Sequence, residues 1–299
     1  MGAELSQNFP AARQIFEEAN DALGFSLSKL CFEGPEDDLR LTTNTQPALV
    51  TTAIAALRVF EAEYGIAPIV TAGHSLGEYS ALVAAGALTL PDAARAVRER
   101  GRLMQEACPP GQGAMAALIG LEPEAVNEIC ATVSEGAQIA VPANLNAPGQ
   151  IVIAGHAAAV RRAIEIAKER GATMSVELKV SAPFHCALMK PALEGMTPIL
   201  RGLAISPLRF PVIANVTAAL NNDPTKVADL LIEQITAPVR WTESMEQLGK
   251  LGVTDAIEFG CGKVLMGLMR RINKNLRVRP LEDMASLKAI GEAFAQTKG

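Results

Sequence analysis

Residues 73–77 read Gly-His-Ser-Leu-Gly, between the apolar run Pro68-Ile69-Val70-Thr71-Ala72 and the small-residue run Ser80-Ala81-Leu82-Val83-Ala84-Ala85. A serine between glycines, after a strand and before a helix, has the form of a nucleophile elbow, because the glycines permit a sharp turn that lifts the hydroxyl clear of the backbone. Ser75 is therefore the candidate covalent nucleophile. The following helix aims free N–H groups and the positive end of its dipole at the reacting centre, which makes the N–H of Leu76 the candidate oxyanion donor. Such a short pattern also arises by chance, so the reading needs a base.

The chain contains three histidines. His74 adjoins the serine, and its side chain should leave the turn in another direction. His156 ends the apolar run Ile151-Val152-Ile153-Ala154-Gly155 and reads as a turn residue at a strand end. His185 sits in Pro183-Phe184-His185-Cys186-Ala187-Leu188-Met189, a proline-marked turn between an extended segment and a helix. A loop histidine 110 positions from the serine (185 minus 75) meets it only through the fold, as members of catalytic triads usually do. By elimination, His185 is the candidate base.

An arginine supplies the third clue. Pro91-Asp92 starts a helix whose apolar face runs Ala93, Ala96, Val97, Leu103, Met104 and Ala107. Arg100 falls on that face, while Arg95, Arg98 and Arg102 line the opposite one. A guanidinium keeps its proton, so a partly buried one needs an anionic or strongly accepting partner. Periodicity leaves two partners open: an internal carboxylate, or a substrate carboxylate held bidentately.

The elements that must position these residues form an α/β fold. Residues from Ala114 onward predict a strand (Ala114–Ile119), a helix (Pro123–Val133), strands at Gln138–Val141 and Gln150–Ala154, a helix (Ala157–Arg170) and a strand (Met174–Val180). That β-α-β-β-α-β order is the signature of a ferredoxin-like unit. On either side, helices alternate with short apolar strands such as Ile69–Ala72, Phe210–Asn215 and Asp255–Glu258, which suggests a parallel sheet. The expected division is a larger hydrolase-like parallel-sheet domain (1–112 and 182–299) with the smaller unit (113–181) inserted. The 49% apolar content over 299 residues is enough for a sizeable core. No run reaches the roughly 18–20 apolar residues of a membrane span, and the N-terminus lacks a signal-peptide pattern. Five cysteines without close pairs indicate neither a zinc site nor a disulfide framework, and 32 acids against 27 bases argue against a nucleic-acid binder. The expectation is a cytoplasmic enzyme without a metal.

These motifs resemble one family, the malonyl-CoA:acyl carrier protein transacylases. Gly73-His74-Ser75-Leu76-Gly77-Glu78-Tyr79-Ser80-Ala81 is similar to that family's nucleophile motif and Arg98-Glu99-Arg100-Gly101-Arg102-Leu103-Met104-Gln105 to its arginine motif. Thr45-Gln46-Pro47-Ala48-Leu49, Asn144-Leu145-Asn146-Ala147-Pro148-Gly149-Gln150, the His185 segment and Glu258-Phe259-Gly260-Cys261-Gly262-Lys263-Val264-Leu265 follow in the family's order. The family opens with a short strand and a glycine-rich stretch whose glutamine supplies a second oxyanion N–H. This chain starts at Met1-Gly2-Ala3-Glu4-Leu5, where the family already runs into its first helix. Either the numbered sequence begins downstream of the natural start, or this version lacks a central strand and half of its oxyanion hole. Gly111-Gln112-Gly113 reads as a domain junction, not a replacement.

The resemblance implies ping-pong transfer of malonyl from malonyl-CoA to the phosphopantetheine thiol of acyl carrier protein in fatty acid synthesis, with no permanently bound cofactor. It implies that Arg100 holds the malonyl carboxylate and that the main-chain carbonyl of Gln234 orients His185. It further implies that Phe184, with Leu76, favours malonyl over methylmalonyl. Gln46, Asn144 and Asn146 belong to the margin of the site. A carrier protein is acidic and this chain is net negative, so docking requires a local basic surface; Lys263, Arg270, Arg271 and Lys274, near one helix, are the candidates. Two other readings stay open: a serine hydrolase, which needs an acidic third member and no Arg100, and a non-catalytic scaffold that binds the carrier protein.

Overall fold

The computed structural model describes residues 1–180 and 182–297. Helices α1 (Ala3–Asn8), α2 (Pro10–Leu23), α3 (Leu27–Glu33) and α4 (Glu36–Arg40) lead into the long α5 (Thr42–Tyr64). Strand β1 (Thr71–Ala72) turns into α6 (Gly77–Ala84), followed by α7 (Leu90–Glu106). Next come β2 (Gly113–Ile119), α8 (Pro123–Val133), β3 (Ala140–Ala147), β4 (Gln150–His156), α9 (Ala157–Glu169) and β5 (Met174–Glu177). The remainder comprises α10 (Lys190–Arg201), β6 (Val212–Ala214), β7 (Ala219–Asn221), α11 (Val227–Gln234), α12 (Trp241–Lys250), β8 (Asp255–Phe259), α13 (Val264–Ile272), β9 (Arg277–Leu281) and α14 (Met284–Thr297).

The four strands β3-β4-β2-β5 form one antiparallel sheet with α8 and α9 packed on one face around Leu118, Ile129, Ile151 and Val160. This is the spatial order of a ferredoxin-like unit. Outside it, β1 pairs parallel to β6, β7 is an antiparallel addition to that pair, and β8 and β9 form a separate parallel pair. The expected parallel character therefore holds for β1–β6 and β8–β9 but not for β7.

Boundaries shift where proline or asparagine interrupts apolar alternation. β3 runs over Ala140–Ala147 rather than 138–141, because it carries Pro142 and two asparagines through register shifts at Pro142/Asn144 and Leu145/Ala147, a pattern typical of bulges and unlike a regular strand in sequence. The strand from 69 contracts to Thr71–Ala72, and the one from 174 ends at Glu177. Ser181, at the expected domain boundary, lies outside the described residues.

The opposite face of the small sheet is a second layer. Met115, Ala143, Val152 and Ala154 pack against Cys186, with half-buried Phe184 and Leu188 alongside. The segment that carries His185 is thus held against the small sheet by apolar contacts on both sides of the histidine.

Helix α7 begins where the sequence marks it. Thr89 accepts the N–H of Asp92 at 3.2 Å and Pro91 occupies the first turn, so the orphan donors of the N-terminus are reduced by one cap and one absent N–H. Ala93, Ala96, Val97 and Met104 are buried, and Arg100 is buried with them at 3% exposure. Arg95 and Arg102 are exposed; Arg98 is half-buried, its guanidinium 4.3 Å from the Phe25 ring, a departure from the expected solvent-facing position.

Candidate active site

The elbow is fixed by one glycine and one asparagine. A Cβ on Gly73 would stand 1.9 Å from the carbonyl oxygen of Gly77, so no other residue fits there. Ser75 has φ +49°, a left-handed conformation that costs a non-glycine residue on the order of 1 kcal/mol. Asn215, fully buried just beyond β6, holds the turn from both ends: its Oδ1 accepts the Ser75 N–H at 2.7 Å and its Nδ2 donates to the Gly73 carbonyl at 2.8 Å. The Leu76 N–H has no acceptor among the described residues, as befits the first turn of a helix.

His185 reaches Ser75 from the other side. Its Nε2 lies 2.7 Å from Ser75 Oγ, and its Nδ1 lies 2.8 Å from the Gln234 carbonyl oxygen. A carbonyl only accepts, so Nδ1 carries the proton and Nε2 presents a lone pair to the serine hydroxyl. That carbonyl is available because it ends α11 and because the residue four positions on is Pro238, which has no N–H to offer it. Burial and then the Arg100 charge push the His185 pKa down to about 3, so the ring is neutral at physiological pH. Cys186 is no competing nucleophile: burial raises its thiol to about 11, and the S–H donates to the Pro183 carbonyl.

The other histidines are occupied elsewhere. His74 Nε2 lies 2.7 Å from Asn146 Oδ1, with the ring 5.3 Å from that of Trp241. His156 Nδ1 accepts the Ile139 N–H at 3.1 Å.

Arg100 converges on the same hydroxyl. Its Nη2 donates to Ser75 Oγ at 3.1 Å and to Gln234 Oε1 at 3.0 Å, and its Nη1 donates to Gln46 Oε1 at 2.9 Å. All three acceptors are uncharged. Arg100 makes no ion pair among the described residues, and its buried Nε has no partner. Of the two partners left open by periodicity, an internal carboxylate in direct contact is thus absent. Glu78 is the nearby acid; burial is the main influence on its carboxyl and raises it to about 7, against the opposing pull of hydrogen bonds and the Arg100 charge.

Gln46 and Gln234 therefore touch the guanidinium directly, whereas Asn146 serves His74. Asn144 is buried where β3 bridges to Val239, and Phe184 packs against the small sheet. Beside His185 opens a cleft of about 460 Å³, lined by Pro142, Leu145, Asn127, Cys186, Thr236 and Pro238. The four basic residues do not form one cluster: Lys263 precedes α13 and pairs with Glu282 at 3.4 Å, while Arg270, Arg271 and Lys274 are exposed at its far end, where Arg271 donates to Gln150. Asn215 and Glu78 escape the sequence reading. Glu78 carries a usable signal, an acid on the buried face of a small-residue helix; an asparagine at a strand end carries none.

The model of the acyl transferase domain family matches residues 1–285. A malonyl CoA-acyl carrier protein transacylase of Bacillus subtilis is 48% identical over 288 residues, 96% of this chain and 90% of the relative. Among solved structures, an acyl carrier protein S-malonyltransferase of Vibrio cholerae superposes with a TM-score of 0.94 at 46% identity, covering 97% of this chain and 94% of the other. A malonyl-transacylase solved in complex with its type II PKS acyl-carrier protein gives a TM-score of 0.94 at 44% identity, covering 98% and 94%.

Proposed function

The chain belongs to the acyl transferase family of malonyl CoA-acyl carrier protein transacylases, and from that membership we propose that it moves a malonyl group from malonyl-CoA to the phosphopantetheine thiol of an acyl carrier protein through an ester on Ser75. The observation that carries this reading is the meeting, on one serine hydroxyl, of a neutral base and a buried guanidinium that touches no carboxylate among the described residues.

His185 Nε2 takes the Ser75 proton as Oγ attacks the thioester carbon, and the Leu76 N–H receives the developing oxyanion. The C–S bond then breaks and the imidazolium returns its proton to the coenzyme A sulfur. In the second half the carrier thiol loses its proton to His185 and attacks the ester, and Ser75 leaves with that proton restored. The imidazolium that forms in each half faces the carbonyl end of α11, whose partial negative charge favours it. Arg100 turns its fork from neutral acceptors to the malonyl carboxylate, a stronger partner, and so positions the acyl group in both halves.

A hydrolase reading finds less support. The base is oriented by a main-chain carbonyl rather than an acid, and simple ester hydrolysis has no use for Arg100. Malonyl-CoA and the carrier enter as substrates, without a resident cofactor, and the setting is the cytoplasm, where both thiols stay reduced. We further take residues 113–181 as a unit inserted between 1–112 and 182–299, supported by the separate apolar cluster under the small sheet. The exposed Arg270, Arg271 and Lys274 are our candidates for contact with the acidic carrier, with Lys263 a secondary one because its charge is shared with Glu282.

Incubation with malonyl-CoA alone, followed by intact-mass and peptide mapping, should show one malonyl group on Ser75, and Ser75→Ala should abolish it. An adduct on Cys186, or one that persists in Ser75→Ala, would overturn the mechanism.

A further inference from the structure

A single residue, Gln234, links the groups of the site through its side-chain amide and its main-chain carbonyl. Gln234 Oε1 accepts from Arg100, its Nε2 donates to the Ser75 carbonyl at 3.0 Å and to Glu78 Oε2 at 2.7 Å, and its main-chain carbonyl accepts from His185 Nδ1. An amide of this kind has two orientations, and its neighbours decide between them. Glu78 Oε2 also receives the main-chain N–H of Asn215 at 3.1 Å. The Ser75 carbonyl only accepts, and an ionised Glu78 Oε2 likewise accepts from both Asn215 and Gln234. The end of Gln234 that faces these two oxygens is therefore the NH2. Both amide protons are then committed, and the amide oxygen is left facing the guanidinium. In the flipped orientation the oxygen would meet two acceptors and the NH2 would meet a cation.

Glu78 sits one helical turn after Ser75 at 3% exposure, close enough to interact electrostatically with Arg100 but forming no ion pair with it. A direct carboxylate contact would occupy the fork that a substrate carboxylate needs. Acting through an intervening amide, the acid aims the guanidinium without filling it.

Building on the malonyl-transfer reading, we propose that Glu78 is a positioning residue for acyl-group selectivity: its Oε2 helps to lock the Gln234 amide with the oxygen toward Arg100, which presents an aimed guanidinium, held by neutral acceptors and free of any carboxylate contact, to the acyl carboxylate.

The test compares malonyl-CoA and acetyl-CoA as donors in the same loading assay, reading kcat/KM for each. Glu78→Met keeps the length and removes the acceptor; Glu78→Gln can place its carbonyl oxygen where Oε2 stands. The malonyl-to-acetyl ratio should fall by about tenfold or more in Glu78→Met, the scale of one buried hydrogen bond lost with its partner left unpaired, and stay within about threefold of wild type in Glu78→Gln. A ratio unchanged in Glu78→Met, both donors losing rate in parallel, or a ratio equally damaged in Glu78→Gln would each overturn the proposal. If Glu78→Met does not fold, Gln234→Leu removes the amide but keeps the main-chain carbonyl that holds His185. The same fall in ratio is expected there, and an unchanged ratio overturns the proposal. Wild-type enzyme separates the two levels: failure to load malonyl refutes the functional reading, whereas wild-type malonyl preference retained by the variants refutes only the role of Glu78.

Discussion

The two faces of α7 treat arginine in opposite ways. On the outer face, Arg95 pairs with Asp92, and Arg102 with both Glu99 and Glu106, all within one turn and all in contact with solvent. On the inner face, Arg100 is buried against two glutamines and a serine with no acid in contact. Exposed pairs give a helix little net stability, because water and salt compete for each charge. A buried guanidinium denied a carboxylate gives no obvious stability at all. It would give an affinity for an anion of the right shape, so under the proposed function the contrast separates arginines paired in solvent from one aimed at a substrate carboxylate.

The strongest attempt to break this contrast is Arg100→Ala. Losing a buried, hydrogen-bonded charge partner costs about 2–5 kcal/mol, so malonyl loading should fall by on the order of 10² or more in kcat/KM while acetyl loading is retained or gained. Arg100→Lys should also be impaired, since an ammonium cannot reproduce the planar fork. An unchanged malonyl-to-acetyl ratio would return Arg100 to the class of its neighbours.

Burial should also show in the pH dependence of stability, with opposite signs for the two buried titrating groups. His185 has its folded pKa lowered to about 3, so the folded state binds fewer protons than the unfolded one, and stability is lost as pH falls below about 6.5 towards 3. Glu78 is raised to about 7, so its contribution is present below the ordinary glutamate range and lost as pH rises through 7. Melting curves of His185→Gln should therefore drop less steeply than wild type between pH 6.5 and 4, and an identical acid limb would contradict the buried, neutral ring.

At the surface the effects should be smaller and sensitive to salt. Reversing charge at Arg271 and Lys274 should raise KM for carrier protein roughly 3–10-fold at low ionic strength, with the salt dependence flattened and malonyl loading of Ser75 intact. Unchanged carrier kinetics would place the docking face elsewhere. Smallest of all, Arg102→Ala should move Tm by no more than about two degrees and leave both donors' kinetics alone.

The sequence carried different parts of this picture with different clarity. Ser75 and its helix were legible because glycine spacing and flanking periodicity are local, and Arg100 because a charge on an apolar stripe is out of place. His185 could be reached only by elimination, since its meeting with the serine depends on how α11 ends and on what packs beside it. The extent of β3 was not legible, because Pro142 and the asparagines hide a bulged strand. Asn215 was invisible for a related reason: the turn it clamps lies more than a hundred residues away, and nothing in its neighbours announces the contact.

Ser75 stands on an elbow rooted in the large apolar cluster, whereas the segment around His185 bridges two clusters: Cys186 packs against the back of the small sheet, Ala182 and Met189 belong to the large cluster, and Phe184 touches both. His185 is thus mounted on a bridge between two packing units, and Ser75 on one of them. A loosening of the small sheet too slight to melt the molecule would release one side of that bridge and let His185 drift from Ser75, so on warming, loss of activity should come before loss of helix.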